Sequence, residues 1–147
     1  MTRNVWLVVP SSAAAALSVA YSSFSHVHSA HGSRAEDAGT NEAYREQFDV
    51  ATARAVAEVR TLAELCLPLV KVGGYWVAPK GPDPEDEVRD GLRAIETLGG
   101  EVNAISVERL GAEDDEKPEF TVVTVPKRAA TPPQYPRRAN AMKKRPL

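Results

Sequence analysis

Apolar residues recur with two different periods along the chain from Phe48, and this change of period narrows the choice of fold. The run "FDVATARA" is short and β-prone, whereas "AVAEVRTLAELCLPL" has an apolar residue at every third or fourth position, as helices do. Pro68 and the following "VGG" are expected to end that helix. "GGYWVAPKG" predicts a second strand that finishes at Pro79, because a proline is tolerated only where a strand is ending.

The segment "DPEDEVRDGLRAIETLGG" has the clearest helical pattern in the chain. Asp83 is expected to cap it and Pro84 to occupy its first turn, while the acidic residues favour the positive end of the helix dipole. "EVNAISVERL" and "EFTVVTVPK" predict two more strands, on either side of the acidic loop "GAEDDEKP". The predicted buried stripe of the helix consists of Val88, Leu92, Ile95 and Leu98.

The resulting order is strand, helix, strand, helix, strand, strand, which predicts an α/β fold with parallel βαβ units and an antiparallel closing strand. In such sheets the ligand crevice lies beyond the carboxyl ends of the strands. Arg54 and Lys80 fall at those ends, and each is expected to be exposed and unpaired, either as a ligand for a carboxylate or phosphate or as an ordinary surface charge. The strand at Phe48–Thr52 is expected to have an open, apolar edge.

The first 34 residues contain no acidic residue and are rich in serine and alanine, as organellar transit peptides are. Alternatives are irregular sequence, a secretory signal, or a short strand at Val5–Val9 followed by an alanine-rich helix from about Ser12 to Phe24. The histidines at 26, 28 and 31 lie close together but lack nearby cysteine or carboxylate, so exposed loop histidines are favoured and no metal site is predicted.

Charge is distributed unevenly along a chain whose net charge is −2. From Asp83 to Glu119 there are thirteen acidic and four basic residues, and the segment 126–147 then has seven basic residues and no acidic one. The single cysteine, Cys66, excludes an internal disulfide and is expected to fill the core. No apolar stretch reaches the ~18 residues of a membrane span. A single-domain, monomeric protein without a membrane partner is therefore expected.

Several segments resemble one known family: "RAED" (34–37), "YREQFDVATARAVAEVRTLAELCLPLVKVGGYWVAPKG" (44–81), "AIETLGG" (94–100) and "TPPQYPRRANAMKKRPL" (131–147). They are similar to the C-terminal two-thirds of the RsmG, or GidB, family. Its members are S-adenosylmethionine-dependent methyltransferases that methylate guanine N7 in small-subunit ribosomal RNA. The resemblance implies a partial Rossmann-like class I methyltransferase sheet over residues 33–147, with 126–147 as a basic tail. The sequence from "RAEDAG" to "YREQFDV" is most similar to plant members of the family. This similarity implies a chloroplast location, with the cytoplasm as the alternative.

The resemblance also implies roles for particular residues. Ala35 and Glu36 match the dipeptide through which family members contact the cofactor, S-adenosylmethionine, and Arg54 matches an arginine placed between cofactor and RNA. Lys80 matches the "KG" beside the expected substrate entrance. No catalytic residue is assigned, because guanine N7 carries a free lone pair and needs no base to remove a proton; alignment and electrostatics then supply most of the catalysis.

The sequence departs from the family pattern in its first part. It contains no G-x-G, so the glycine-rich cofactor turn of the family is missing. The segment 1–32 resembles nothing in the family, and "SSFSHVHSAHGS" is not expected to form the strand that should precede "RAED". These departures suggest a truncated version. The alternative function is therefore an inactive remnant that binds RNA or ribosomes only, and a third is an α/β domain that binds a ligand other than RNA.

The acid-free tail is compatible with an RNA partner, because phosphates attract clustered cations. Tyr135 offers a surface on which a base could stack. A strap that runs over the sheet is the structural alternative, and both could hold. The residues expected to meet RNA are Lys80, Tyr135, Arg137, Arg138, Lys143, Lys144 and Arg145.

Overall fold

In a computed structural model of the chain, the structure describes residues 34–53, 57–110 and 120–147 in full, and the backbone of residues 5–8 and 27–29. The expected alanine-rich helix, the acidic loop 111–118 and the side chains of the three histidines lie outside the described residues. The description that follows concerns the described segments.

Six strands and four α-helices make up the described part of the chain. Single 3₁₀ turns lie at Leu67–Leu69 and Val102–Ala104. The helices are α1 (Ala35–Thr40), α2 (Val59–Cys66), α3 (Glu85–Thr97) and α4 (Ala139–Lys144). The strands are β1 (Val5–Val8), β2 (Val27–Ser29), β3 (Phe48–Ala53), β4 (Val70–Lys80), β5 (Ser106–Leu110) and β6 (Phe120–Pro126).

The strands form one sheet in the order β2-β1-β3-β4-β6-β5. β3 and β4 are parallel and are joined through α2, while β6 lies between β4 and β5 and is antiparallel to both. The predicted order of elements from Phe48 is therefore confirmed, together with the antiparallel closing strand. This arrangement is an α/β fold with a partial Rossmann-like sheet, which confirms the predicted fold class.

The open edge expected at Phe48–Thr52 is wrong. β1 pairs antiparallel with β3 over four residue pairs, from Val5 opposite Ala53 to Val8 opposite Val50. β1 itself confirms the alternative of a short strand at Val5–Val9. β2 lies within "SSFSHVHSAHGS" and pairs with β1, so the expectation that this segment forms no strand is wrong as well. Pairing satisfies the backbone groups that an edge strand would leave open, and the N-terminal segment therefore protects the sheet.

The sequence suggested that the glycine pair at 73–74 helps to end a helix. The pair instead lies inside β4. Gly73 has φ +88°, a conformation that glycine adopts without strain. A Cβ on Gly74 would come within 2.5 Å of the carbonyl oxygen of Asp49, so only glycine allows this approach of β4 to β3. The pairing register shifts between Phe48 and Val50 at the same place, as at a β-bulge.

Helix α3 differs from its prediction at its start and along its buried face. Pro84, not Asp83, is the N-cap residue, and no side chain caps the helix. Leu92 is 37% exposed, whereas Gly91 is buried where α3 meets α2. A Cβ on Gly91 would lie 2.6 Å from Cγ1 of Val59, so the close approach of the two helices places glycine, not leucine, at the contact.

The core lies between the sheet and helices α1, α2 and α3, and its fully buried side chains include Trp76, Leu62 and Ile95. Cys66 is completely buried among them, as predicted. Burial raises the pKa of its thiol to about 12, so the side chain packs as a neutral, small apolar group. Among the described residues, no helix has the length and apolar content needed to cross a membrane.

Candidate functional site

The predicted crevice lies at the edge where β3 ends at Ala53 and β4 ends at Lys80. These two parallel strands are neighbours, so their carboxyl ends meet at one edge of the sheet. Arg54, which directly follows β3, lies outside the described residues, and its predicted role stays a prediction. The chain is described again from Ala57 onward.

Lys80 is not the exposed, unpaired cation that its position suggested. Its side chain is only 8% exposed, and its Nζ donates 2.7 Å hydrogen bonds to the carbonyl oxygen of Ala57 and to Oε1 of Glu87. The same Glu87 oxygen accepts a 2.9 Å hydrogen bond from the backbone N–H of Val59 in the first turn of α2. Lys80 and Glu87 therefore hold the start of α2 against the end of β4, at the carboxyl edge of the sheet.

Ala35 and Glu36 are the first two residues of α1. The far end of this helix lies beside Pro68, because a Cβ on Gly39 would come 3.4 Å from Cβ of Pro68, which precedes β4. Ala35 is buried, and no described hydrogen bond engages the backbone N–H of Ala35 or Glu36, as is usual in a first helical turn.

The first part of the basic tail is built into the core. Lys127 is fully buried, and its Nζ donates to Oε1 of Glu46 and the carbonyl oxygen of Leu67, both at 2.7 Å, and to Oγ1 of Thr131 at 2.9 Å. Burial lowers the pKa of Lys127, and the ion pair with Glu46 opposes this shift. Arg128 forms an ion pair with Glu101. Both cations therefore have intramolecular partners.

Arg45 is a structural residue that the sequence did not indicate. Its guanidinium donates to four backbone carbonyl oxygens: Gly39 at 2.9 Å and, in the tail, Thr131 at 2.8 Å, Pro132 at 3.1 Å and Tyr135 at 2.7 Å. Four carbonyls are a natural set for this side chain, which has five N–H donors in a planar fork. Arg45 thus ties the tail to α1, the helix that begins with the two predicted cofactor residues.

Arg137 is also paired within the chain. Its Nε and Nη2 donate to the two carboxylate oxygens of Glu64, at 2.8 and 2.7 Å, and its backbone N–H donates to the same carboxylate. Glu64 is 1% exposed on α2, and this bidentate pair raises the pKa of Arg137. The Arg137 guanidinium lies 5.8 Å from the ring centroid of Tyr135, whose ring also packs against the core. One face of the predicted stacking surface is therefore covered by Arg137.

Four tail cations remain in solvent: Arg138, Lys143, Lys144 and Arg145 are exposed, and in the described part of the chain no side chain pairs with them. The cations predicted to bind RNA thus fall into two groups: those with an ion-pair partner, and those without one among the described residues. The paired group consists of Lys80 and Arg137. Within the described ranges, no cluster of histidine, cysteine and carboxylate could hold a metal ion.

Comparison with known proteins identifies the family to which this chain belongs. Residues 21–116, more than half of the chain, match the family model GidB, described as rRNA small subunit methyltransferase G. The chain belongs to this family. The match begins at residue 21, before the boundary at residue 33 that the sequence suggested. It therefore includes β2.

Curated members of the GidB family extend the match through most of the chain. Ribosomal RNA small subunit methyltransferase G of Lactobacillus johnsonii is 50% identical over 115 residues, 78% of this chain and 47% of the relative. Proteins of the same name from Lactobacillus acidophilus and Oceanobacillus iheyensis are 50% and 45% identical, covering 80% and 78% of this chain and 47% of each relative. The chain spans about half the length of the curated relatives it matches.

Proposed function

We propose that this chain methylates small-subunit ribosomal RNA, with S-adenosylmethionine as the methyl donor and a guanine N7 as the acceptor. The observation that carries the proposal is membership of the GidB family over more than half of the chain. The sheet supports it, because β6 lies antiparallel between β4 and β5 in a Rossmann-like arrangement.

We expect part of the cofactor site at the start of α1, where Ala35 and Glu36 lie. The start of α1 has the small, buried side chain of Ala35, and no hydrogen bond among the described residues engages the backbone N–H groups of Ala35 and Glu36. When bound, S-adenosylmethionine supplies an electrophilic methyl group. The protein then has to hold donor and acceptor in line, because guanine N7 needs no deprotonation before attack.

We infer that Lys80 has a positioning role. Its ammonium fixes the backbone of Ala57, three residues after Arg54, and its partner Glu87 fixes the N–H of Val59. We expect Lys80 to act through this segment, not by direct contact with RNA, since only 8% of its side chain is exposed. The sequence had suggested that Lys80 contacts RNA directly, and a positioning role replaces that expectation.

The experiment is methyl transfer by the full chain from labelled S-adenosylmethionine to small-subunit rRNA, with N7-methylguanosine identified in the digested product by mass spectrometry. Binding of S-adenosylmethionine is measured separately by calorimetry. The variant Arg54→Ala should lose transfer, while Arg93→Ala should retain it, because Arg93 is exposed on α3 without a described side-chain partner.

Absence of both cofactor binding and transfer in the unaltered chain would reject the proposal. RNA binding without cofactor binding would instead support the alternative of an RNA-binding remnant. Transfer to a position other than guanine N7 would reject only the assignment of the acceptor atom.

A further inference from the structure

The tail contains cations with and without an intramolecular carboxylate partner, and among the paired ones Arg128 still has 78% of its side chain exposed. Lys127, Arg128 and Arg137 each have an intramolecular carboxylate partner. Arg138, Lys143, Lys144 and Arg145 have none among the described residues and are exposed. All four lie within the eight consecutive residues 138–145, in and beside α4, and no acidic residue lies in that segment.

The backbone that carries these four cations is fixed to the body of the protein. Pro136 is buried two residues before the segment, and Met142 is buried in the middle of it. Arg137, held by Glu64, also donates from Nη1 to the carbonyl oxygen of Arg145 at 2.8 Å. One arginine thus joins both ends of α4 to α2. A folded helix presents charges at fixed spacing, so less conformational freedom is lost when they meet a ligand.

We propose that Arg138, Lys143, Lys144 and Arg145 form an RNA phosphate-binding surface in and beside α4, and that Lys127 and Arg137, which are held by Glu46 and Glu64, do not contact RNA. The proposal rests on the proposed function for the choice of polyanion, and on the structure for the choice of residues. Exposed cations without acidic neighbours attract phosphates, and contacts to phosphates fix position without reading sequence. The surface is therefore expected to anchor RNA without selecting the base that is methylated.

The test compares two triple variants of the full chain that remove the same charge. The first is Arg138→Gln, Lys143→Gln, Lys144→Gln. The second, a matched control, is Lys71→Gln, Arg89→Gln, Arg93→Gln, which removes three cations on β4 and α3. Fluorescence anisotropy measures binding of a labelled small-subunit rRNA fragment and of an unrelated RNA duplex over a range of salt concentrations.

We expect the α4 variant to bind both RNAs more weakly and to show a salt slope flatter by about 2.7, if each cation meets one duplex phosphate at about 0.9 per contact. The loss of affinity between about 50 and 200 mM salt should then shrink by about 40-fold relative to the unaltered chain. The control should keep the original slope, and the thermal midpoint of the α4 variant should stay unchanged because these side chains have no described partner.

Equal slopes for the two variants would overturn the proposal, because net charge alone would then explain binding. An unchanged slope for the α4 variant would overturn it as well, as would tighter binding to anionic lipid vesicles than to RNA. Failure of methyl transfer with α4-dependent RNA binding intact would reject the proposed function and leave this surface standing.

Discussion

Lys127 and Lys143 belong to the same acid-free tail, yet their surroundings are opposite. The ammonium of Lys127 has no exposure to solvent and three hydrogen-bond acceptors, whereas Lys143 is exposed on α4 without a described partner. The same contrast holds for Arg137, bonded to buried Glu64, and its exposed neighbour Arg138. Positive charge in this tail therefore attaches it to the body through Lys127 and Arg137, while the exposed cations are those we propose to bind RNA.

The position of the carboxylates explains the difference. Glu46 lies before β3, Glu64 on α2 and Glu101 after α3, and each receives one cation of the segment 127–137. Beyond Arg137 the described structure offers no further carboxylate within ion-pair distance of the tail. Carboxylates that lie far away in the sequence thus determine which cations of the tail are paired and which are not.

The largest expected effect separates the two lysines. Lys127→Met should lower the free energy of unfolding by about 3–5 kcal/mol, because it leaves the Glu46 carboxylate and two further acceptors without their buried donor. Lys143→Met should change it by no more than about 0.5 kcal/mol, as surface substitutions do. Chemical denaturation of both variants measures the difference, and equal values would show that the tail is not divided in this way.

The two neighbouring arginines provide the next comparison. Arg137→Lys should lower the free energy of unfolding by about 1.5–3 kcal/mol, because a lysine cannot reproduce the bidentate bond to Glu64. Arg138→Lys should be neutral. A double variant with Glu64→Gln tests the pairing directly, since strictly additive effects of Arg137→Lys and Glu64→Gln would contradict it.

A smaller effect is expected where the tail touches α1. Gly39→Ala would place a Cβ 2.7 Å from Cγ of Pro136, and such overpacking should lower the free energy of unfolding by about 1–3 kcal/mol. Gly81→Ala is the matched control, because nothing lies within 4 Å of its Cβ position. Equal thermal midpoints for the two variants would mean that the tail does not pack tightly on α1.

Local pattern was enough to predict the order of elements from Phe48, because period 2 and period 3.6 are visible within single segments. It failed where the deciding partner is distant. Pairing of β1 with β3 joins residues more than forty positions apart, so the sequence of β3 alone suggested an open edge. Leu92 was placed in the core because glycine carries no apolar signal, although Gly91 makes the contact with Val59.

Candidate site residues were limited in the same way. Sequence shows that Lys80 and Arg137 are cations at suggestive positions, but the carboxylates that bind them come from α3 and α2. Arg45 was missed altogether, because its four acceptors are backbone carbonyl oxygens. Every residue has a backbone carbonyl, so residue types in the sequence do not reveal these partners. An arginine next to a glutamate just before a buried strand was the only available signal.

The smallest expected effect concerns acid stability and the attached half of the tail. Burial acts to raise the pKa of Glu46, but hydrogen bonds from Lys127 and the N–H of Thr131 outweigh it, so the pKa lies below its ordinary value of 4.5. A carboxyl with a lowered pKa in the folded state adds stability that is present above pH 4.5 and is lost as the pH falls through the folded value. The unfolding free energy of the unaltered chain should therefore approach that of Glu46→Gln as the solution is acidified below pH 4.5.

Glu96→Gln, on the exposed face of α3, should instead follow the unaltered chain throughout. A constant gap between the Glu46→Gln and unaltered curves across the acid range would show that Glu46 does not lose its interaction with Lys127 on protonation.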